Sequence, residues 1–190
     1  MTGRRLAVKA KEFEEACLYR MRQHEERGEA TMSRYGVQAS FYKDPKREEM
    51  TWRPIQSLPD FEGVIPPSGR QFIFDCKVCS SASFPLDEDK FKRRQLKHLV
   101  TRAKFGVICF LLIHFNERIL QRGIVTSETW AFPVYAMHPL WRAFDAGETK
   151  RITREDCQEY GVKVEWNVLS GGRTIRPDIL SAIDRLKEGR

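Results

Sequence analysis

Apolar positions along this chain change their spacing several times, and each change marks an element. Residues 6–26 place Leu6, Ala10, Phe13, Cys17 and Met21 at steps of three and four, the repeat of a helix with one buried face. Gly28 is its expected stop. Residues 31–35 and 37–42 are β-like and lead into a charged turn over 43–49. From 58 to 77 the chain reads LPDFEGVIPPSGRQFIFDCK: an acid, a Gly/Pro-rich turn, then an apolar strand closing on Asp75-Cys76-Lys77. Residues 78–83 read as a small-residue loop. A helix follows over 88–104, its apolar side made by Phe91, Leu96, Leu99, Val100 and Ala103. Residues 106–115 are apolar on both faces, the mark of a central strand. With a helix between them, this strand and the one ending at Lys77 are expected to run parallel through a right-handed crossover.

The rest of the chain is more irregular. Residues 118–126 read as a further, antiparallel strand after a turn at Asn116-Glu117. Residues 130–144 mix aromatics with Pro133 and Pro139 and end in a short helix closed by Gly147. Thr153, with Asp156 three residues on, has the spacing of a capping box, and Gly161 stops the helix it starts. Residues 162–166 alternate as a strand, and 177–187 form a last amphipathic helix with Ile179, Leu180, Ile183 and Leu186 inward. Strands interleaved with helices make the expected fold α/β, a mixed β-sheet flanked by helices.

Composition narrows the class without naming it. At 190 residues and 41% hydrophobic content the chain is one domain able to bury a real core. A net charge of +7 suits a polyanionic partner. The densest basic surface is the 88–104 helix, with Lys90, Lys92, Arg93, Arg94, Lys97, Arg102 and Lys104. Its acids (with Asp87 just ahead, then Glu88 and Asp89) stand in the first turn, where they complement the helix dipole. Such a face either meets phosphates or is simply solvated. Five scattered cysteines make no disulfide framework and fit free thiols in a reducing compartment. The basic start runs into Lys11, Glu12, Glu14 and Glu15 without the apolar region of a signal peptide. The apolar run 107–113 is too short to cross a bilayer. A cytoplasmic protein with no membrane partner is the expectation.

The candidate chemistry sits where the apolar strand turns charged. Alternation along a strand sends Ile73, Asp75 and Lys77 to one face and Phe72, Phe74 and Cys76 to the other. A carboxylate and an ammonium on one face of a buried strand are paired with each other or bound to something. Asp60 precedes the turn, on what reads as the neighbouring hairpin strand, and could reach the same spot. Two carboxylates and a lysine are what Mg²⁺-assisted phosphodiester hydrolysis needs: hard oxygens for the ion, and a cation for the attacking water and the developing charge. An ordinary Asp75–Lys77 ion pair would have the same spacing.

The pattern resembles a family. Pro59-Asp60 followed by Asp75-Cys76-Lys77 looks like the PD-(D/E)xK nuclease signature. Asp60-Phe61-Glu62-Gly63, Ser83-Phe84-Pro85-Leu86, Gln95-Leu96-Lys97-His98-Leu99 and Gly106-Val107-Ile108-Cys109-Phe110 then follow in the order of the RecU-type Holliday junction resolvases. The resemblance implies a restriction-endonuclease-like core and a metal-dependent endonuclease acting on branched double-stranded DNA as a homodimer. It implies Mg²⁺, or Mn²⁺ as substitute, held by Asp60, Asp75 and the Cys76 backbone carbonyl. Lys77 would then be catalytic, Glu14 would complete the acidic cluster from the first helix, and Gln95 would hold Lys77 or the scissile phosphate. Lys90, Arg93, Arg94, Lys97 and Arg102 of the basic helix would contact DNA, and His98 would either contact phosphate with them or cap a hydrogen-bond network, the commoner use of a lone helix histidine. The family has glutamate where Asp75 stands, one methylene longer. The implied core spans 1–148, with 30–57 in the place of a stalk or hairpin insertion, and 149–190 form a C-terminal extension. That insertion shows no residue match to the family's junction-entering stalk.

Other readings weigh less. Cys76-x-x-Cys79 suggests zinc or redox chemistry, but no second paired spacing supplies the remaining ligands, and Cys76 ends a strand rather than starting a helix. No Walker-type loop appears, so no nucleotide cofactor is expected. A less choosy phage- or plasmid-type endonuclease on branched DNA would share the same chemistry. A non-cleaving DNA-binding protein would explain the basic helix equally well, but has no evident use for Asp60 and Asp75, which repel phosphate unless a cation sits between them.

Overall fold

The hairpin expected around the Gly/Pro-rich turn forms, and a six-stranded sheet is built outward from it. The computed structural model describes residues 2–35, 39–43, 50–54, 59–86, 93–120, 123–168 and 175–188. In chain order the elements are α1 (Thr2–Glu26), β1 (Thr31–Arg34), β2 (Ala39–Lys43), β3 (Met50–Pro54), β4 (Phe61–Ile65), β5 (Arg70–Cys79), β6 (Ser83–Pro85) and α2 (Arg93–Lys104). There follow β7 (Ile108–Phe115), β8 (Arg118–Leu120), β9 (Gly123–Val125), β10 (Glu128–Pro133), α3 (Pro139–Asp145), β11 (Arg151–Thr153) and α4 (Arg154–Tyr160). The chain closes with β12 (Val162–Lys163), β13 (Trp166–Val168), β14 (Ile175–Pro177) and α5 (Ile179–Glu188).

The main sheet has the order β1-β4-β5-β7-β10-β12. Only β5 and β7 run parallel, joined through α2 as expected, and the other neighbours are antiparallel. The mixed sheet flanked by helices is therefore the fold. One face packs Phe13, Cys17 and Met21 of α1 and Ile179, Ala182 and Ile183 of α5 against Phe72, Phe74 and Phe110. Phe61, Phe74 and Phe110 stack there with centroids 5.1 and 5.0 Å apart. The other face packs Leu96 and Leu99 of α2, Trp141 and Phe144 of α3 and Cys157 of α4 against Ile73, Cys109, Leu111 and Ile113.

Several expectations are corrected. The first helix begins at Thr2, ahead of residue 6. Residues 78 and 79 belong to β5, not to a loop, because β7 continues beside them as far as the Cys79–Phe115 pair. The expected strand over 118–126 divides into β8 and β9, which pair antiparallel with each other. The strand that returns antiparallel on β7 is β10, in the aromatic stretch that had read as irregular. Its one proline, Pro133, is the last strand residue, where a missing N–H matters least. The expected strand over 162–166 divides: β12 joins the main sheet, whereas β13 pairs with β14. Past residue 148, β12 lines the sheet edge and the Trp166 indole donates to Thr129 Oγ1 at 2.8 Å. Between β1 and β4, β2 and β3 pair with each other as an antiparallel ladder, apart from the main sheet among the described residues.

Candidate active site

β4 is shorter than β5, and that mismatch makes the site. The β4–β5 ladder ends at Phe61–Phe74, while β5 runs on against β7 through Asp75, Cys76 and Lys77. Among the described residues, no strand pairs with β5 beyond Phe74 on its β4 side. Asp60, the residue just before β4, fills part of this gap with its side chain: the Cys76 N–H donates to Asp60 Oδ2 at 2.6 Å. A strand residue turns its N–H and C=O toward the same neighbour. The Cys76 carbonyl therefore faces the gap as well.

Asp75 is wholly buried, on the α2 face as alternation requires. Its Oδ2 pairs with the Lys77 ammonium, and the Gln95 amide on α2 donates to its Oδ1 at 3.2 Å. Gln95 thus holds Asp75, the carboxylate paired with Lys77. Burial pushes the Asp75 carboxyl up to about 7, with Lys77 opposing and Asp60 adding to the shift. Burial disfavours the charge on Lys77, but Asp75 and Asp60 together outweigh it and raise its pKa. The site keeps a charged lysine against a carboxylate that is close to shedding or keeping its proton.

Glu14 lies on the opposite, α1 side. Its carboxyl is raised by burial and then by Asp60, with Arg34 and Lys77 opposing, so it feels both site charges. Its ion-pair partner is Arg34 at 4.0 Å. Arg34 also lies over the Phe61 ring, 5.8 Å from the centroid, and was not singled out from the sequence. Among the described residues no three His, Cys, Asp or Glu side chains are already gathered into a metal cage. Asp60 and the Cys76 carbonyl face the gap, and the buried Asp75 carboxylate lies near enough to feel the Asp60 charge. These are hard oxygens, and one is a buried carboxylate that benefits from a cation, so they fit a Mg²⁺-type ion.

The thiols take no part in that donor set. Cys76 Sγ turns to the α1 face and meets Cys17 Sγ at 4.0 Å, while Cys79 packs on the other face. Burial, then Cys17, pushes the Cys76 thiol well up, which keeps it neutral. The Cys-x-x-Cys spacing therefore forms no chelate: its two thiols lie on opposite sides of the sheet.

The expected DNA contacts divide. Arg93, Arg94 and Lys97 are exposed on α2, and Arg93 also lies over the Phe144 ring at 5.0 Å. Arg102 is half-buried and donates to Gln71 Oε1 at 3.3 Å. His98 is half-buried too, with Nε2 turned to the Tyr35 hydroxyl. Lys90 lies outside the described residues, as do Lys46 and Arg47 of the charged turn. No helix among the described residues is long and apolar enough to cross a membrane.

Fold and site together define the class: an α/β chain with the PD-(D/E)xK arrangement, its Asp-x-Lys on a central strand and its second carboxylate at the head of the adjoining one. The profile of the Recombination protein U (RecU) family matches residues 7–180, and the chain belongs to that family. A curated relative, the Holliday junction resolvase RecU of Geobacillus thermodenitrificans, is 24% identical over 131 residues, covering 68% of this chain. The chain spans 57% of the length of that relative. A solved structure, that of Hjc from Archaeoglobus fulgidus, described as a Holliday junction resolvase, aligns over 80% of this chain and 94% of its own at 13% identity, with a TM-score of 0.45.

Proposed function

We propose that this protein is a Mg²⁺-dependent endodeoxyribonuclease that resolves four-way DNA junctions by paired nicks, acting as a homodimer in recombination and repair. The observation that carries the reading is the buried Asp75–Lys77 pair, fixed by Gln95 and set beside Asp60 where the β4–β5 ladder ends. Membership of the RecU family and the printed activity of the G. thermodenitrificans relative support it. Asp60, Asp75 and the Cys76 carbonyl would hold the ion, with Mn²⁺ as substitute. When bound, it would supply Lewis-acid polarisation of the scissile phosphate and offset its charge.

The chain's own groups divide the remaining work. Lys77 keeps its proton beside Asp75 and presents a fixed positive charge to the oxygens that become more negative in the transition state. Gln95 stops Asp75 from swinging, and the Cys76 N–H does the same for Asp60. Glu14 adds negative potential from the α1 side and is itself restrained by Arg34. The exposed cations of α2, on the helix that carries Gln95, would grip phosphates beside the reacting one. Two nicks in opposed strands call for two sites related by a two-fold axis.

The test is cleavage with Mg²⁺ of a four-way junction, a flap, plain duplex and single strand, with Asp75→Asn and Lys77→Ala alongside. Paired symmetric nicks in the junction alone are expected, with neither variant cutting and Lys77→Ala still binding the junction. Cutting of all four substrates would demote the enzyme to a general endonuclease on branched and unbranched DNA. Tight binding by the wild type without cleavage in Mg²⁺ or Mn²⁺ would leave a DNA-binding protein on a nuclease fold.

A further inference from the structure

A chain of contacts joins Asp60 to Asp75 by a route outside the main ladder. It begins at Asp60, whose carbonyl accepts the Tyr35 N–H at 2.9 Å, one residue beyond the Arg34–Phe61 pair that ends the β1–β4 ladder. The Tyr35 side chain crosses to α2. There Tyr35 Oη and His98 Nε2 share a hydrogen bond at 3.1 Å, whose direction follows the imidazole tautomer. The two rings meet edge to face, with centroids 5.4 Å apart. His98 is three residues from Gln95, on the same side of the helix, and Gln95 closes the route by donating to Asp75 Oδ1.

We propose that Tyr35 and His98 are positioning residues: together they fix the rotation of α2, and through it the seating of Gln95 on Asp75, relative to Asp60. This inference rests on the nuclease reading above. The physical need is clear from the rest of the α2 contact. Leu96 and Leu99 bury the helix against the sheet through non-directional apolar contacts, and Arg102 donates to Gln71 at the far end, so next to Asp75 the rotation of the helix is set by Gln95 and His98. Hydrogen bonds at Gln95 and His98, one turn apart, are directional. Losing one lets the helix turn, frees the Asp75 carboxylate and opens the spacing between two ligands that a small hard cation needs held closely. Displacement by about 1 Å is enough to cost a large factor in rate.

Of the two uses expected of His98, the same contacts favour the hydrogen-bond network over the phosphate. Its ring is half-buried against Tyr35, and burial, then Arg102, lowers its pKa, with Glu62 opposing. A neutral imidazole already hydrogen-bonded to a tyrosine is a strut and offers little to a phosphate. Tyr35 carries no signature of its own, and 63 residues separate it from His98.

The experiment compares the wild type with Tyr35→Phe, His98→Leu, His98→Gln and the double variant Tyr35→Phe/His98→Leu. Tyr35→Phe removes only the hydroxyl and keeps the ring in place, so the fold has every reason to persist; metal-free melting checks this. Single-turnover cleavage of saturating junction is expected to slow by about tenfold in Tyr35→Phe and His98→Leu. The Mg²⁺ concentration for half-maximal rate is expected to rise, while junction affinity stays within about twofold of wild type. The double variant should be no slower than the worse single one, since both remove the same link. His98→Gln, which keeps a hydrogen-bonding group, should recover part of the rate. An unchanged rate and Mg²⁺ requirement in Tyr35→Phe, multiplied losses in the double variant, or a defect confined to junction affinity would each overturn the inference. Should the wild type cut nothing, the nuclease reading fails by itself, and the strut is judged by the rise in melting temperature on adding Mn²⁺. A smaller rise in Tyr35→Phe than in wild type upholds it; equal rises, or none in wild type, overturn it.

Discussion

Asp75 is a carboxylate that burial pushes up to about 7, and this gives the site a pH dependence whose sign can be worked out. A metal ligand must be deprotonated, so below that pKa a proton competes with the ion for Asp75. Apparent Mg²⁺ affinity measured by calorimetry should therefore climb as pH rises toward about 7, approaching tenfold per unit on the acid side, and flatten above it. Asp75→Asn should abolish the climb. A flat wild-type profile would remove Asp75 from the ligand set. In the metal-free protein the dependence runs the other way. A carboxyl raised by folding favours the folded state while protonated, so stability falls as pH rises from the ordinary carboxyl range through about 7. Of these properties, the placing of Asp75 and Lys77 on one face was legible in the sequence, because strand alternation is rigid. Which group would hold Asp75 was legible only as far as Gln95 itself. Tyr35 and Arg34 were not legible, because their partners are set by tertiary contact rather than by spacing.

At the scale of elements, the site depends on β1, β4 and β5 lying closely enough for Asp60 to stand at the ladder's end. Gly63 is what permits this. A Cβ there would lie 2.2 Å from the Thr31 carbonyl oxygen on β1 and 2.3 Å from the Phe72 ring on β5. Backbone on one side and a buried ring on the other leave nowhere to yield. Gly63→Ala should cost about 1–3 kcal/mol by chemical denaturation. It should also weaken Mg²⁺ binding, by moving β4 and Asp60 with it. Unchanged stability would mean that the β1–β4–β5 edge is looser than its contacts imply. The hairpin, α1, β7 and the capped α4 could all be read from periodicity and turn chemistry, since each follows from local rules. The extension of β5 to Cys79, the sheet place of β10 and the division of residues 162–168 between two sheets could not. Those depend on which strand happens to lie alongside, and no local pattern records it.

For the whole molecule the open question is how a chain with net charge +7 presents that charge to a polyanion. Arg94 and Lys97 are exposed on either side of Gln95 along α2, so the helix that fixes Asp75 also turns cations outward next to the site. Arg93 shares its guanidinium with the Phe144 ring, so its removal would disturb packing as well as charge. Arg94→Ala/Lys97→Ala is therefore the cleaner probe. If both residues touch phosphates, each releases about one counterion on binding, and the slope of log affinity against log salt should shallow by about 0.9 per residue on duplex arms. Binding should weaken most at low salt, whereas the cleavage rate at saturating junction should stay near wild type, because neither residue touches Asp60, Asp75 or Lys77. An unchanged slope would show that α2 is merely a solvated basic helix and that the +7 acts from elsewhere. A shallower slope together with a lost saturating rate would place these cations at the scissile phosphate itself, where position counts as well as charge.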